Sequence, residues 1–223
     1  MPRDLSLLLR PHLASEVSDL DVLEAVLSAA APSRPEAERL AGTLLRTFGS
    51  FARVIAAPVG ELSLVEGLDR AGVALLKAVR TAALRLLQAE VARGPLLNSR
   101  RRLMHYLHAE LSREHVEELH VLFLDNRYHL LADEVHQRGT VNHTPAYPRE
   151  IAKRALELNA SALILAHNHP SGDPTPSTED RRMTEQIRSA VATLSIELLD
   201  HVVVGNRRCV SFRECGLLAD GQQ

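Results

Sequence analysis

With 223 residues, 45% hydrophobic and 24% charged, the chain has the make-up of a soluble globular protein and room for one large domain or two small ones. A net charge of -2 supplies no global attraction to nucleic acid or anionic membrane, and with aromatics at only 3% the core must be built from Leu, Val, Ile and Ala. Two cysteines, Cys209 and Cys215, outside any CxxC or disulfide pattern, together with the lack of a signal-type apolar run or a stretch of ~18 apolar residues, make a cytoplasmic location the expectation and a membrane partner unexpected.

Up to about residue 94 the apolar residues recur at helical spacing. Asp19 is placed to cap a helix through Val22, Leu23, Val26 and Leu27. Pro32 and Pro35 end it and open a second, through Ala41, Leu44, Leu45 and Phe48, closed by Gly49-Ser50. Short helices follow around residues 51–56 and 59–65. A long one runs from about Arg70 to Arg93, where Gly94-Pro95 breaks it. The expected organisation is a small all-α domain over 1–94, a connecting helix over 95–111 with Arg100, Arg101 and Arg102 near its start, and a second domain over 112–223.

The second domain reads as α/β. Leu119–Leu124 is an apolar run ending in the turn signal Asp125-Asn126, and Tyr128–His136 is the returning strand of a hairpin. A further short strand is expected at 139–142, a helix at 148–158, a fully apolar strand at 162–166 and a helix at 177–194. A last hairpin joins 196–204 to 209–212 across Gly205-Asn206, giving a mixed sheet of five or six strands.

The strand at 162–166 runs directly into Ala166-His167-Asn168-His169-Pro170-Ser171-Gly172-Asp173-Pro174-Thr175-Pro176-Ser177-Thr178-Glu179-Asp180. Two imidazoles one residue apart on an extended segment can bind one metal, and the carboxylate of Asp180 at the start of the next helix can be a third ligand. Three protein ligands with one position left for water is the catalytic style of zinc site. Pro170, Gly172, Pro174 and Pro176 make the intervening loop rigid. Ser177 and Asp180 also have the spacing of a helix capping box, a sufficient reason for those two residues but not for the histidines.

The full pattern, His-x-His-x(7)-Ser-x(2)-Asp, resembles the JAMM/MPN+ metalloprotease motif. Together with Leu122-Phe123-Leu124-Asp125, Arg138-Gly139-Thr140, Tyr147-Pro148-Arg149-Glu150, Asp200-His201 and Ser211-Phe212, it makes residues 99–218 resemble the RadC family of bacterial JAB-domain proteins. That resemblance implies a cytidine-deaminase-like JAB/MPN mixed sheet flanked by helices. The deaminase likeness carries no chemistry, because the Pro-Cys-x-x-Cys ligands are missing. It implies Zn2+ held by His167, His169 and Asp180, with Ser177 bonding the developing oxyanion or the attacking water. It also implies a glutamate general base on an early strand. The register favours Glu117, with Glu118 the neighbour on the opposite face. The activity implied is hydrolysis of peptide or isopeptide bonds in a protein or peptide substrate, with the family's link to DNA repair.

Elsewhere the sequence leaves alternatives. His201 is either an orienting partner of a ligand or a sheet histidine. Asn168 either projects into the cleft or stabilises the loop. His136 and His143 are either substrate contacts or surface groups, and His105, His108, His115 and His120 are expected to be exposed. Val65-Glu66-Gly67-Leu68-Asp69-Arg70-Ala71 resembles the hairpin of a helix-hairpin-helix element, with Asp69 in place of its second glycine. A carboxylate there repels phosphate, so DNA binding through the N-terminal module is expected to be weak or lost, and the alternative is an amphipathic helical cap or oligomerisation surface. A metal-dependent nuclease and a non-catalytic adaptor for DNA or protein remain the competing readings, and nothing indicates an oligomeric state.

Overall fold

The computed structural model describes residues 17–96, 100–139 and 147–218, and it divides into two compact units, Met1–Ala83 and Leu84–Gln223. Among the described residues no helix is long and apolar enough to cross a membrane.

The first unit is helical: α1 (Asp19–Leu27), α2 (Arg34–Phe48), α3 (Phe51–Ala56), α4 (Val59–Leu62) and the start of α5 (Arg70–Ala92). Leu23, Leu27, Leu40, Leu44, Val54, Leu62, Val73 and Leu76 form its core. Gly49 ends α2 at φ 87°, a left-handed conformation that glycine adopts without a Cβ penalty. The cap of α1 is Ser18, in a capping box with Asp21, and not Asp19 as the sequence suggested. Asp19 is the first helical residue and its carboxylate accepts a bond of 2.9 Å from the N–H of Phe51, so it serves α3 instead. Asp69 accepts from the N–H of Gly72 at 2.8 Å, which caps the long α5.

The boundary between the units falls inside α5. In the second unit α6 (Arg100–Leu111) is followed by β1 (Glu117–Leu124), β2 (Leu130–Gly139), α7 (Pro148–Glu157), β3 (Ala162–Asn168), α8 (Thr178–Ala192), β4 (Glu197–Val204) and β5 (Cys209–Ser211). The expected strand at 139–142 reduces to Gly139 as the last residue of β2, its remainder lying outside the described residues. The strands make one mixed sheet in the order β2-β1-β3-β4-β5, with only the β3–β4 pair parallel.

Strand alternation sends side chains to two separate cores. Leu119, Val121, Phe123, Leu163, Leu165 and Val203 point to one face, packed with Ile151 and Ala155 of α7 and Ile187 and Val191 of α8. Leu122, Leu124, Ile164, Ala166, Val202 and Val204 point to the other, covered by Leu103, Tyr106, Leu107 and Leu111 of α6. The segment expected to be a connection therefore supplies a packed layer of this unit. Burial on both faces explains why β3 reads as an uninterrupted apolar run.

The α6 face also holds a polar cluster that sequence reasoning missed. His120 is only 4% exposed, against the expectation of a surface histidine. Its Nδ1 lies 3.0 Å from Asp133, whose other oxygen accepts from Tyr106 Oη at 2.5 Å. Burial works against protonation, but the bond and charge of Asp133 prevail and raise the His120 pKa above the usual imidazole value.

Candidate metal centre

β3 delivers His167 to the α8 face of the sheet, because His167 shares the parity of Leu163 and Leu165. α8 begins immediately after the loop and presents Asp180, Thr184, Ile187 and Val191 to the same face, at helical spacing. The N-terminal turn of that buried stripe is polar and the rest apolar, so the chemistry sits at one end of the core.

His167, His169 and Asp180 each offer one ligand atom, and these atoms all lie within 4.8 Å of one another. The Nε2 atoms of His167 and His169 are 3.0 Å apart. Asp180 Oδ1 is 3.2 Å from the former and Oδ2 is 3.3 Å from the latter. Hydrogen bonds on the far side of each ring fix what these atoms can be. Thr184 Oγ1 donates to the carbonyl of Asp180 at 2.5 Å, so its lone pair accepts from Nδ1–H of His201 at 2.6 Å. His201 Nε2 is then bare and accepts from Nδ1–H of His167 at 2.8 Å, which leaves His167 Nε2 with its lone pair. His169 donates Nδ1–H to the carbonyl of Asp173 at 2.7 Å, with the same result.

With both imidazoles neutral, two nitrogen lone pairs and a carboxylate oxygen converge with no hydrogen between them, an arrangement filled either by a cation or by protons on the rings. Imidazole and carboxylate are both zinc donors, and the far-side bonds are those that metal-binding histidines make. The donor set fits the metal that the sequence implies. The charges follow suit. Burial opposes ionisation of Asp180, but whenever His167 and His169 take up protons in place of a cation, their bonds and charge hold its carboxyl well below the ordinary carboxylate range. Hydrogen bonding to Asp180 raises the pKa of His169. His201 is completely buried, stacked on Phe212 at 4.6 Å between ring centres, and burial drives its pKa far down, so it stays neutral.

Ser177 and Asp180 do form the reciprocal capping box. Ser177 Oγ accepts from the N–H of Asp180 at 3.1 Å, and Asp180 Oδ2 accepts from both the N–H and the hydroxyl of Ser177 at 2.7 Å. The two readings of this pair are therefore compatible: one carboxylate caps α8 and faces the histidines.

The β1–β3 register pairs Leu119 with His167. Glu117, two residues earlier, has the parity of Leu119 and lies on the histidine side. It is exposed, and its charge acts on His169. Glu118 faces the opposite core, 8% exposed, with Arg138 Nε at 2.8 Å. Asn168 does not enter the cleft. It is 1% exposed, and its carboxamide bonds the main chain at Glu114, Val116 and Glu118. His136 lies 5.5 Å from Phe123 between ring centres, while His143 lies outside the described residues. Thr184 was overlooked, although its place one helical turn after Asp180 was a usable signal. Asp200, adjacent to His201, is structural, accepting from Ser211 Oγ at 2.6 Å and the N–H of Arg213 at 3.0 Å.

A mixed sheet with helices on both faces and a two-histidine, one-aspartate cluster at a strand end is the architecture of a JAB-type domain. The chain matches the RadC-like JAB domain over residues 97–217. It is 50% identical over 205 residues to a UPF0758 protein of Rhodobacter capsulatus, covering 92% of this chain and 95% of the relative. It is 46% identical over 205 residues to a UPF0758 protein of Ruegeria pomeroyi, covering 92% of this chain and 91% of the relative. The protein belongs to the RadC family of JAB-domain proteins.

Proposed function

We propose that the protein is a zinc-dependent hydrolase of the JAMM type that cleaves peptide or isopeptide bonds. The observation that carries this reading is the convergence of His167 Nε2, His169 Nε2 and an Asp180 oxygen, with the ring tautomers set by Thr184, His201 and Asp173. When bound, zinc supplies a Lewis acid and brings the pKa of water to about 7. Glu117, at the first position of β1 on the same face, is the general base. Its carboxylate takes the proton of the attacking water and hands it to the departing amine. Ser177 turns its hydroxyl hydrogen from Asp180 Oδ2 to the oxyanion, while the Ser177 N–H keeps its bond to that oxygen. The substrate is a protein or peptide, and the site works in the cytoplasm.

The test is the metal content of the purified protein beside the His167→Ala/His169→Ala variant, followed by zinc-dependent cleavage of a panel of fluorogenic peptides and isopeptides. About one zinc per chain is expected, as a three-ligand catalytic centre requires, and its loss in the double variant. Glu117→Gln is expected to keep the metal and lose cleavage. No zinc after reconstitution, or full cleavage by Glu117→Gln, overturns the proposal.

A further inference from the structure

Between the two histidines lies a side chain that the proposed chemistry leaves unused. His167 faces the α8 core and Asn168, by strand alternation, the opposite side, where its carboxamide is almost wholly buried. Asn168 Oδ1 accepts from the N–H of Glu118 at 2.8 Å. Its Nδ2 donates to the carbonyls of Val116 at 3.0 Å and Glu114 at 3.1 Å. The carboxamide thus spends its acceptor oxygen and both donors on main-chain groups.

Val116 C=O and Glu118 N–H flank residue 117 and point to the same edge of the strand, the edge at which β3 pairs. The Cα register of β1 with β3 stops at Leu119–His167, two residues short of Glu117. The Asn168 side chain carries the pairing past that end, offering a C=O and an NH2 where the next peptide unit of a strand would. On its other edge residue 117 pairs, among the described residues, with Gly139, the last residue of the edge strand β2. We infer that Asn168 is a positioning residue that holds Glu117 at the metal centre, by bonding the main chain on both sides of it from the peptide that joins the two histidine ligands. This inference rests on Glu117 and the histidines forming one centre.

The chemistry of the tether is specific. Aspartate offers acceptors only and would set an oxygen against two carbonyls. Alanine offers nothing. Glutamine has the right groups one methylene too far out. A tether of this kind acts on where the Glu117 carboxylate sits and not on whether the metal binds, because His167, His169 and Asp180 keep the bonds that orient them.

The test uses full-length protein carrying 13C-labelled glutamate carboxyls, loaded with Co2+ and, as the diamagnetic reference, Zn2+. Asn168→Ala is expected to bind Co2+ at the wild-type stoichiometry with an unchanged ligand-field spectrum. The paramagnetic relaxation of the Glu117 carboxyl is expected to fall several-fold, and the Glu118 amide to exchange about tenfold faster in metal-free protein, as the loss of a hydrogen bond predicts. Should the alanine variant fail to fold, Asn168→Ser, which keeps one short hydroxyl, gives the same comparison. Unchanged Glu117 relaxation in a loaded, folded variant overturns the inference, as does unchanged exchange at Glu118. A wild-type protein that takes up no Co2+ overturns the metal-centre reading itself, before any variant is made.

Discussion

Removing one buried hydroxyl should change the affinity of a site it does not touch. Thr184→Val keeps the shape of the side chain and deletes the group that accepts from His201 Nδ1–H and donates to the Asp180 carbonyl, at 2.6 and 2.5 Å. His201 is 0% exposed, so water cannot replace the lost partner. The Nδ1–H is left unpaired, which in a buried site costs about 1–3 kcal/mol, while the Asp180 carbonyl, inside α8, keeps its place in the helical hydrogen-bond ladder. His201 can relieve that cost by moving its proton to Nε2. That nitrogen then donates to His167 Nδ1, and the His167 proton moves to Nε2, the ligand atom. Zinc must displace that proton, so affinity is expected to drop about 10- to 100-fold, the usual effect of losing such a supporting bond. The assay is competition for zinc against a chromophoric chelator near neutral pH, with urea unfolding run in parallel. Thr184→Ser, which keeps the hydroxyl, should stay close to wild type. A folded Thr184→Val protein whose zinc affinity lies within about twofold of wild type would refute the relay and, with it, the assignment of the His167 tautomer.

Three further outcomes are expected. Because the folded pKa of His120 is raised, its contribution to stability is fully present below the unfolded value of about 6.5 and fades as pH climbs through the raised value. Unfolding free energies of wild type and His120→Gln, measured from about pH 5 to about pH 9, should therefore differ most at the acid end; a gap that widens with pH contradicts the Asp133 pairing. A Cβ at Gly205 would sit 2.5 Å from the carbonyl oxygen of Gly172 and 2.6 Å from Pro174 Cδ. Gly205→Ala should thus destabilise by about 1–3 kcal/mol and lower metal affinity by shifting the loop that carries His169; wild-type values in calorimetry and zinc titration would show that the loop gives way freely. Asp69→Ala removes the N-cap of α5 and should cost about 0.5–2 kcal/mol in urea unfolding, with no cost if the bond to Gly72 is idle.

The sequence carried most of what is local. Helix and strand periods, the proline and glycine stops and the chain order of the second unit were legible because each depends on neighbours a few residues apart. The histidine pair and the Ser-x-x-Asp that follows were legible for the same reason. Misplaced features arose where two reasonable local partners compete, or where the partner is distant. Ser18 and Asp19 are both good capping residues, and only the position of Phe51 draws Asp19 to another helix. His120 looks like a polar residue in a strand until β2 brings Asp133 beside it. His201 and Thr184 find each other across a gap of 17 residues, and Asn168 reaches main chain 50 and more residues upstream. Such pairings are set by strand order and register, which no local pattern encodes. The preference for Glu117 over Glu118 was legible, since alternation allows only one to face the histidines, and the β1–β3 register puts Glu117 on that side.

The double duty of Asp180 has a consequence for how such a centre would decay. If a descendant of this protein were relieved of the proposed hydrolysis, selection on His169 would lapse, because its ring serves the cluster and a loop carbonyl. Selection on Ser177 and Asp180 would not lapse, since α8 still needs its first turn satisfied and that helix closes the core. Drift would therefore erase the histidine first and leave the serine and aspartate standing. An intact Ser-x-x-Asp would then testify only to a sound helix, and the loss of His169 would be the sign that the proposed chemistry had ended.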